Sequence, residues 1–304
     1  MTTIRFATMH EKRSLAMWLV LVAAISRATG AAGIDVSPSR PLGKGSAVVL
    51  RPAPGDDARQ DAATGDLLIH FHGAVDTIRG AMERAGTTAT VVVVNQPGLS
   101  AAYAAPFRED AGLFRRLLAE PVRPDGDDTD TPPPRWRHVT LSCFSAGYGA
   151  VREILKTEEG FDRVDALVAA DSIYAGIDET AAGGRRQVDA RDMAAFLAFA
   201  EAASSGRKVF VISHSAQPTP YASTTETSDY LLGRLGVERR PVAAHAGEEH
   251  ALVSQARRGG FEVQGFTGAS GPAHLFHLRS IDRWWRVAGG IPPPAAESHS
   301  PHGE

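Results

Sequence analysis

The amino-acid sequence predicts an α/β fold, in which a doubly wound, mostly parallel sheet carries helices on both of its faces. Apolar runs of strand length alternate along the chain with segments of helical periodicity, which is the pattern of βαβ units. One run, residues 88–95, is almost unbroken in β-branched side chains, as expected of a central strand covered on both faces. The 304-residue chain shows no internal repeat or long linker, so we expect a single domain at residues 40–290.

The same patterns place the individual elements. Strands are predicted at residues 47–50, 66–73, 88–95, 137–141, 164–170, 208–213 and 261–266. Helices are predicted at residues 77–85, 109–119, 148–156, 189–204, 228–234 and 274–287. Two stretches are expected to be loops: the acidic, proline-rich residues 121–134, and residues 214–227, which are long enough to cover a site.

Composition and charge narrow the class of protein. Apolar residues make up 43% and charged residues 22% of the chain, which is ordinary for a soluble globular protein. The formal net charge is −3 and the basic residues form no stripe, so the sequence predicts no nucleic-acid partner. Cys143 is the only cysteine, which excludes an intramolecular disulfide and a cysteine-based structural zinc site.

The first 32 residues have the pattern of a secretory signal peptide. Basic residues precede an apolar run at residues 15–25, small residues follow at 28–32, and Met9 is an alternative start that keeps this order. We expect cleavage near Gly30 to Ala32 and a secreted or periplasmic product. About 11 apolar residues are too few to span a bilayer core about 30 Å thick, so no stable membrane anchor is predicted. Residues 291–304 are expected to be a disordered tail.

The predicted site is organised around Ser145. This serine is flanked by small residues and stands between a strand-like run and a helix, where a sharp turn holds a hydroxyl at the edge of the sheet. The N-terminus of the following helix favours developing negative charge. Ser145 is therefore predicted to be a nucleophile; the alternative is a small residue chosen for a tight turn.

Residues 143–147, Cys-Phe-Ser-Ala-Gly, resemble the nucleophile elbow of the α/β-hydrolase family, which is usually written Gly-x-Ser-x-Gly. Cys143 replaces the first glycine and Gly147 keeps the second. A serine, an acid and a histidine also follow one another in the chain order of that family, over residues 66–287. The resemblance implies a serine hydrolase of the esterase or lipase type, which needs no cofactor.

The resemblance also implies the partners of Ser145. The family's histidine lies just after the last strand, which favours His274 as the base and leaves His277, one turn later, as the alternate. Two carboxylates compete as the acid. Asp171 directly ends the strand at 164–170, a position that some lipases of the family use, whereas Glu226 has the commoner position after the next strand. A strand end fixes a carboxylate better than a long loop, so Asp171 is preferred to Glu226, with Asp229 as a third choice.

An oxyanion hole would use the backbone N–H of Ala146 and one from Gly73 or Ala74. The pair His72-Gly73 resembles the His-Gly loop of lipases and esterases. Four side chains are predicted to shape a substrate pocket: His72, Asn95, Tyr103 and Tyr174.

Three other interpretations remain. His70 and His72 on one strand would share a face and could bind a metal, but the sequence lacks the rest of the His-x-His-x-Asp-His motif of metallo-β-lactamases, so no metal is predicted. Cys143 is a second possible nucleophile, although its position on the strand favours burial. A non-catalytic binding module on a hydrolase fold is the third.

The preferred hypothesis is an exported serine hydrolase that cleaves an ester, thioester or amide. Its expected partner is a small-molecule, glycan or lipid ester substrate. The sequence does not indicate an oligomeric state.

Overall fold

The computed structural model describes residues 33–52, 65–119, 121, 136–180, 186–243 and 248–289. All of them belong to one compact unit that begins at Gly33. The predicted signal peptide, nearly all of the proline-rich loop and the predicted C-terminal tail lie outside the described residues. Regular structure begins at Ile34, before the domain start that we expected at residue 40.

One sheet of eleven strands organises the described residues. The strands are β1 Ile34–Val36, β2 Arg40–Leu42, β3 Gly45–Pro52, β4 Asp66–Phe71, β5 Thr90–Asn95, β6 His138–Phe144, β7 Ala166–Ala170, β8 Val209–His214, β9 Arg240–Pro241, β10 Leu252–Arg258 and β11 Phe261–Phe266. Their order is β1-β3-β5-β4-β6-β7-β8-β11-β10-β9, with β2 paired to β3. The six strands from β5 to β11 in this order are parallel, and the strands outside them pair antiparallel.

Nine α-helices cover the sheet in the described part of the chain. They are α1 Val75–Ala85, α2 Ser100–Glu109, α3 Leu113–Ala119, α4 Tyr148–Leu155, α5 Glu158–Arg163, α6 Ala190–Ser204, α7 Thr224–Leu235, α8 Gly271–Arg279 and α9 Ile281–Gly289. One apolar core contains side chains of α2, α3, α4, α6 and α7. A second core contains side chains of α1, α8 and α9. The predicted doubly wound sheet with helices on both faces is therefore confirmed.

Strand β5 shows how the sequence produces this arrangement. Each of its four central valines, Val91 to Val94, is at most 1% exposed. Val92 and Val94 pack in the first core, and Val91 and Val93 pack in the second. Because side chains alternate between the faces of a sheet, a strand covered on both faces must be apolar at every position.

Several elements differ from the sequence predictions. The antiparallel strands β1, β2, β9 and β10 were not predicted. Strand β10 is rich in polar and charged side chains that stay partly exposed, so its hydrophobic pattern is weak. The pair Gly259-Gly260 joins it to β11 through a two-residue hairpin turn, which is a recognisable hairpin signal.

The helix boundaries also differ from those predicted. The helix predicted at 109–119 starts only at Leu113, and α2 precedes it with weak amphipathic character and an internal proline, Pro106. Helix α7 starts at Thr224, earlier than predicted, because Ser223 and Glu226 form a capping box there. The closing helix predicted at 274–287 is two helices that meet at Ser280.

Candidate active site

Ser145 lies in a strained turn between β6 and α4. A three-residue 3-10 turn, Ser145–Gly147, joins the strand to the helix, and Ser145 has a φ of +46°. The left-handed region costs a non-glycine residue about 1–2 kcal/mol, so the surrounding structure must hold the serine there. The hydroxyl of Ser172 donates to the backbone carbonyl of Ser145 over 2.8 Å. Ser145 itself is partly exposed.

The two ends of the elbow motif face different neighbours. A Cβ added at Gly147 would overlap the carbonyl oxygen of Phe71 in β4, so the second glycine of the motif is required by close backbone packing. Cys143 lies within β6, between Phe71 of β4 and Ala169 of β7 in the register of the sheet. Cys143 is fully buried, and burial raises the pKa of its thiol to about 12. A buried thiol of this kind is inert, which argues against Cys143 as the nucleophile.

Strain is concentrated around this turn. In the described part of the chain, four non-glycine residues have positive φ values: His72 at 75°, Ser145 at 46°, Asp171 at 39° and Ile173 at 73°. All four follow the carboxyl ends of β4, β6 and β7, which lie side by side in the sheet. Backbone strain of this type collects at functional sites, where the rest of the fold holds it in place.

Asp171 and His274 form a buried pair. Asp171 is 0% exposed, and its Oδ2 lies 2.7 Å from Nδ1 of His274. Its two carboxylate oxygens also accept hydrogen bonds from Ser215 N–H, Ser215 Oγ and Thr224 Oγ1, at 2.6–2.9 Å. Burial alone would raise the pKa of Asp171, but the hydrogen bonds from His274 and Thr224 help to lower it far below its usual range. Asp171 is therefore a fixed, ionised partner for His274.

His274 also connects this pair to the elbow. It lies in the first turns of α8, whose N-cap Ser270 accepts the N–H of Ala273. Its ring stacks on Phe144, the residue before Ser145, with 4.4 Å between ring centroids. The structure therefore brings Ser145, Asp171 and His274 to one edge of the sheet.

The alternate acids have other partners. Glu226 lies in the first turn of α7, where Oε2 accepts the N–H of Ser223 at 2.8 Å. Its carboxylate is also paired with Arg186, 2.7 Å away, and that arginine reaches the carbonyls of the preceding loop. Asp229 of the same helix is paired with Arg239, which lies beyond the end of that helix. Both carboxylates are thus used in capping or surface ion pairs, and neither contacts His274 in the described hydrogen-bond network.

His277, the alternate base, is buried and has a different hydrogen-bond partner, although it is close enough to Asp171 to help lower the pKa of that carboxyl. Its Nδ1 lies 2.9 Å from Ser213 Oγ, and its ring stacks on Trp284 at 5.5 Å. Burial lowers its pKa to about 3. His277 therefore has the environment of a packed, neutral histidine.

The predicted oxyanion loop needs one correction. Gly73 N–H donates to Asn95 Oδ1 over 3.0 Å, and Asn95 Nδ2 donates back to the Gly73 carbonyl over 2.9 Å. This clamp removes Gly73 as an oxyanion donor, and it makes Asn95 a support of the loop rather than a substrate contact. Ala74 and Ala146 remain candidates, since both lie at the start of helical segments, where N–H groups have no acceptor within the helix.

The predicted pocket residues separate into two groups. Tyr103 is 1% exposed and its hydroxyl lies 2.7 Å from His72 Nδ1, so it supports His72 and does not line a pocket. Tyr174 is partly buried and packs edge-on against Tyr221, which is 48% exposed. His72 stays partly exposed, with its ring stacked on Phe144 at 5.8 Å. His72 and Tyr174 are the two that can face a substrate.

The alternative interpretation, in which His70 and His72 share one face of a strand, does not agree with the structure. Strand β4 ends at Phe71, and the positive φ of His72 breaks the alternation that would place both rings on one face. Both ring nitrogens of His70 have partners, Ser142 Oγ at 3.0 Å and the His72 carbonyl at 3.3 Å. Among the described residues, no group of three or more metal-ligand side chains is found. The two histidines therefore do not form the metal-binding pair of the alternative interpretation.

Topology and site geometry together indicate the fold. Ser145, Asp171 and His274 follow β6, β7 and β11 in that chain order, and Ser145 occupies a strained strand-to-helix turn at the carboxyl edge of a parallel sheet. These features characterise one fold among the doubly wound proteins. The chain has the α/β-hydrolase fold. Within that fold, Asp171 directly follows β7, the strand that pairs with the elbow strand β6.

Solved structures of α/β-hydrolases and esterases are similar to the chain. A ferulic acid esterase has a TM-score of 0.48 and 8% identity, over 84% of this chain and 98% of that chain. An S-formylglutathione hydrolase from Staphylococcus aureus has a TM-score of 0.45 and 13% identity, over 86% and 100%. An α/β-hydrolase from a Medee basin deep-sea metagenome library has a TM-score of 0.45 and 11% identity, over 85% and 96%. No model of a known protein family matches the chain, and no curated protein matches it in sequence.

The sequence analysis missed the residues that hold the candidate site in place. Ser215 and Thr224 fix the Asp171 carboxylate, and Ser172 fixes the backbone of Ser145. Ser215 directly follows β8 and Ser172 directly follows Asp171, so their positions at strand ends were the available signal. Thr224 was missed for another reason: the sequence analysis predicted that α7 begins at residue 228 and assigned Thr224 to a loop.

Proposed function

We propose that the protein is an exported serine hydrolase that cleaves an ester, or a thioester or amide, through Ser145, His274 and Asp171. The observation that carries the proposal is the buried Asp171–His274 pair, joined at 2.7 Å and packed against the residue that precedes Ser145. A buried carboxylate that orients an imidazole beside a strained serine is the arrangement that activates a hydroxyl for acyl transfer.

The chemistry follows from these roles. Ser145 Oγ attacks the acyl carbon while His274 accepts the hydroxyl proton, and the proton then passes to the leaving group. Asp171 holds the imidazole in the tautomer with its proton on Nδ1, and stabilises the imidazolium. Backbone N–H groups of Ala146 and Ala74 stabilise the oxyanion. Water then enters, and the same histidine activates it to release the acid from Ser145.

Labelling with a fluorophosphonate probe tests the nucleophile. We expect the folded protein to be labelled on Ser145 and the heat-denatured protein to remain unlabelled, because only the assembled site activates the hydroxyl. Cys143→Ala should be labelled like the wild type and Ser145→Ala should not. Absence of labelling in the folded wild type would favour a non-catalytic binding module instead.

The proposed substrate is a small-molecule, glycan or lipid ester. The partly exposed Tyr174 and Tyr221 rings offer a wall for an apolar or flat group beside the site. A screen of acyl esters of increasing chain length, followed by acetylated glycans, would separate these classes by kcat/KM.

Export is the second part of the proposal, and the support for it is the charged, apolar and small-residue order of residues 1–32. Among the described residues, no helix is long and apolar enough to span a bilayer. We expect the chain, expressed in a secretion-competent bacterial host, to be recovered outside the cytoplasm with a mature N-terminus near residue 31. Intact mass spectrometry checks this, and a product that keeps residues 1–32 and stays in the cytoplasm would contradict it.

A further inference from the structure

His72 is held at every polar backbone and side-chain atom except one. Its backbone N–H donates to the Val94 carbonyl over 3.0 Å, and its carbonyl lies 3.3 Å from Nε2 of His70. Its Nδ1 lies 2.7 Å from the Tyr103 hydroxyl. Among the described residues, Nε2 has no hydrogen-bond partner. It is also not fully buried. Nε2 of His72 is therefore accessible.

A chain of donors fixes the backbone of this residue. Trp285 Nε1–H can only donate, and it donates to Ser142 Oγ over 2.8 Å. The Ser142 hydroxyl is then free to donate to His70 Nδ1, 3.0 Å away, which leaves His70 Nε2–H to donate to the His72 carbonyl. This buried relay supports the unusual φ of +75° at His72.

The assignment of donors and acceptors also determines which ring nitrogen of His72 carries the proton. The Tyr103 hydroxyl is 1% exposed, and within the described residues the only side-chain acceptor near it is His72 Nδ1. If His72 Nδ1 were protonated, the buried phenolic hydrogen would lose this acceptor, at a cost typical of an unsatisfied buried donor. Tyr103 therefore donates, Nδ1 accepts, and the proton of the neutral ring lies on Nε2.

The ring also stays neutral and packs against Phe144, the residue that precedes Ser145. Burial, with a smaller contribution from His274, lowers the pKa of His72 to about 4. His72 and His274 both stack on Phe144, at 5.8 and 4.4 Å between ring centroids. An accessible N–H of fixed tautomer thus lies near Ser145, whereas the N–H of Gly73 in the same loop is occupied by Asn95.

We propose that His72 supplies a side-chain donor to the oxyanion hole, with Nε2–H directed at the substrate oxygen that becomes negative when Ser145 attacks. This inference rests on the proposed function. A neutral N–H donor stabilises the oxyanion without giving up its proton, and it needs no reorganisation when the charge develops. In the loop after β4, the His72 side chain would then take the place of the Gly73 N–H, which already donates to Asn95.

Matched variants test the donor. Glutamine places an amide N–H near the position of His72 Nε2, whereas asparagine places one near Nδ1 and is the better tolerated residue at positive φ. We expect His72→Phe and His72→Asn to lower kcat by about 100- to 1,000-fold with little change in KM. His72→Gln should retain at least about ten times the kcat of His72→Asn, although asparagine suits the backbone better. Equal kcat in His72→Phe and the wild type would overturn the proposal.

Nitrogen NMR of the histidine rings gives a readout that does not depend on activity. In the wild type we expect the His72 proton on Nε2, and in Tyr103→Phe we expect the Nδ1–H tautomer to become populated. A wild-type proton on Nδ1 would overturn the proposal even in an active enzyme. If the NMR shows the expected tautomer but the fluorophosphonate probe does not label Ser145, the proposed function is wrong.

Discussion

Replacing Ser145 by alanine is expected to lower kcat by up to about 10⁶-fold on the best ester substrate, because no other group at the elbow can attack an acyl carbon. The adjacent thiol of Cys143 is buried and protonated, so it cannot take over. Steady-state kinetics with the purified variant, after removal of any wild-type contamination, measures this loss. A decrease of only a few-fold would mean that Ser145 is not the nucleophile.

A second substitution, Ser145→Gly, separates the loss of the hydroxyl from the backbone strain at this position. Both Ser145→Ala and Ser145→Gly lack the hydroxyl, but only glycine adopts a φ of +46° without steric cost. The relief of strain is partly offset by the conformational entropy that glycine adds to the unfolded chain. We therefore expect the free energy of unfolding of Ser145→Gly to exceed that of Ser145→Ala by about 0.5–1 kcal/mol. Urea unfolding of the two inactive variants measures the difference. Equal stabilities would contradict a strained elbow.

Asp171→Asn is expected to lower kcat by about 10⁴-fold, because asparagine presents either the wrong tautomer or no charge to His274. The paired control is Glu226→Gln. We expect it to keep kcat within a few-fold of the wild type, since the Glu226 carboxylate caps α7 and pairs with Arg186. The reverse result, with Asp171→Asn active and Glu226→Gln inactive, would assign the acid to Glu226.

Stability must be measured beside activity in the Asp171 variant. Asp171 accepts four hydrogen bonds, so an amide NH₂ there would face a donor and cost about 1–3 kcal/mol. The native pKa of Asp171 is lowered far below the usual 3.8. A carboxylate with a lowered native pKa contributes its stabilisation above the unfolded-state value and loses it as the pH falls toward the native value. The wild type should therefore lose stability below about pH 4 more steeply than Asp171→Asn.

Local sequence pattern determined the framework of the fold. The valines of β5 had to be buried on both faces, because the central stretch of that strand, Val91 to Val94, carries no polar side chain on either face. The turn at Ser145 was readable because small residues separate a strand pattern from a helix pattern. Asp171 was readable because it ends a buried strand. Each of these signals lies within a few residues of the position that it determines.

Tertiary structure alone decided the partners. Asn95 lies in β5, yet it clamps Gly73 beyond the end of β4, and only the pairing of those strands brings them together. Whether Glu226 caps a helix or reaches a histidine depended on where α7 begins, and Ser223 determined that through its capping box. The exposed nitrogen of His72 depended on Tyr103 and on a buried relay that runs back from α9. Hydrogen bonds between residues distant in sequence leave no periodic trace along the chain, so the sequence by itself located the strand ends and the structure determined what each one holds.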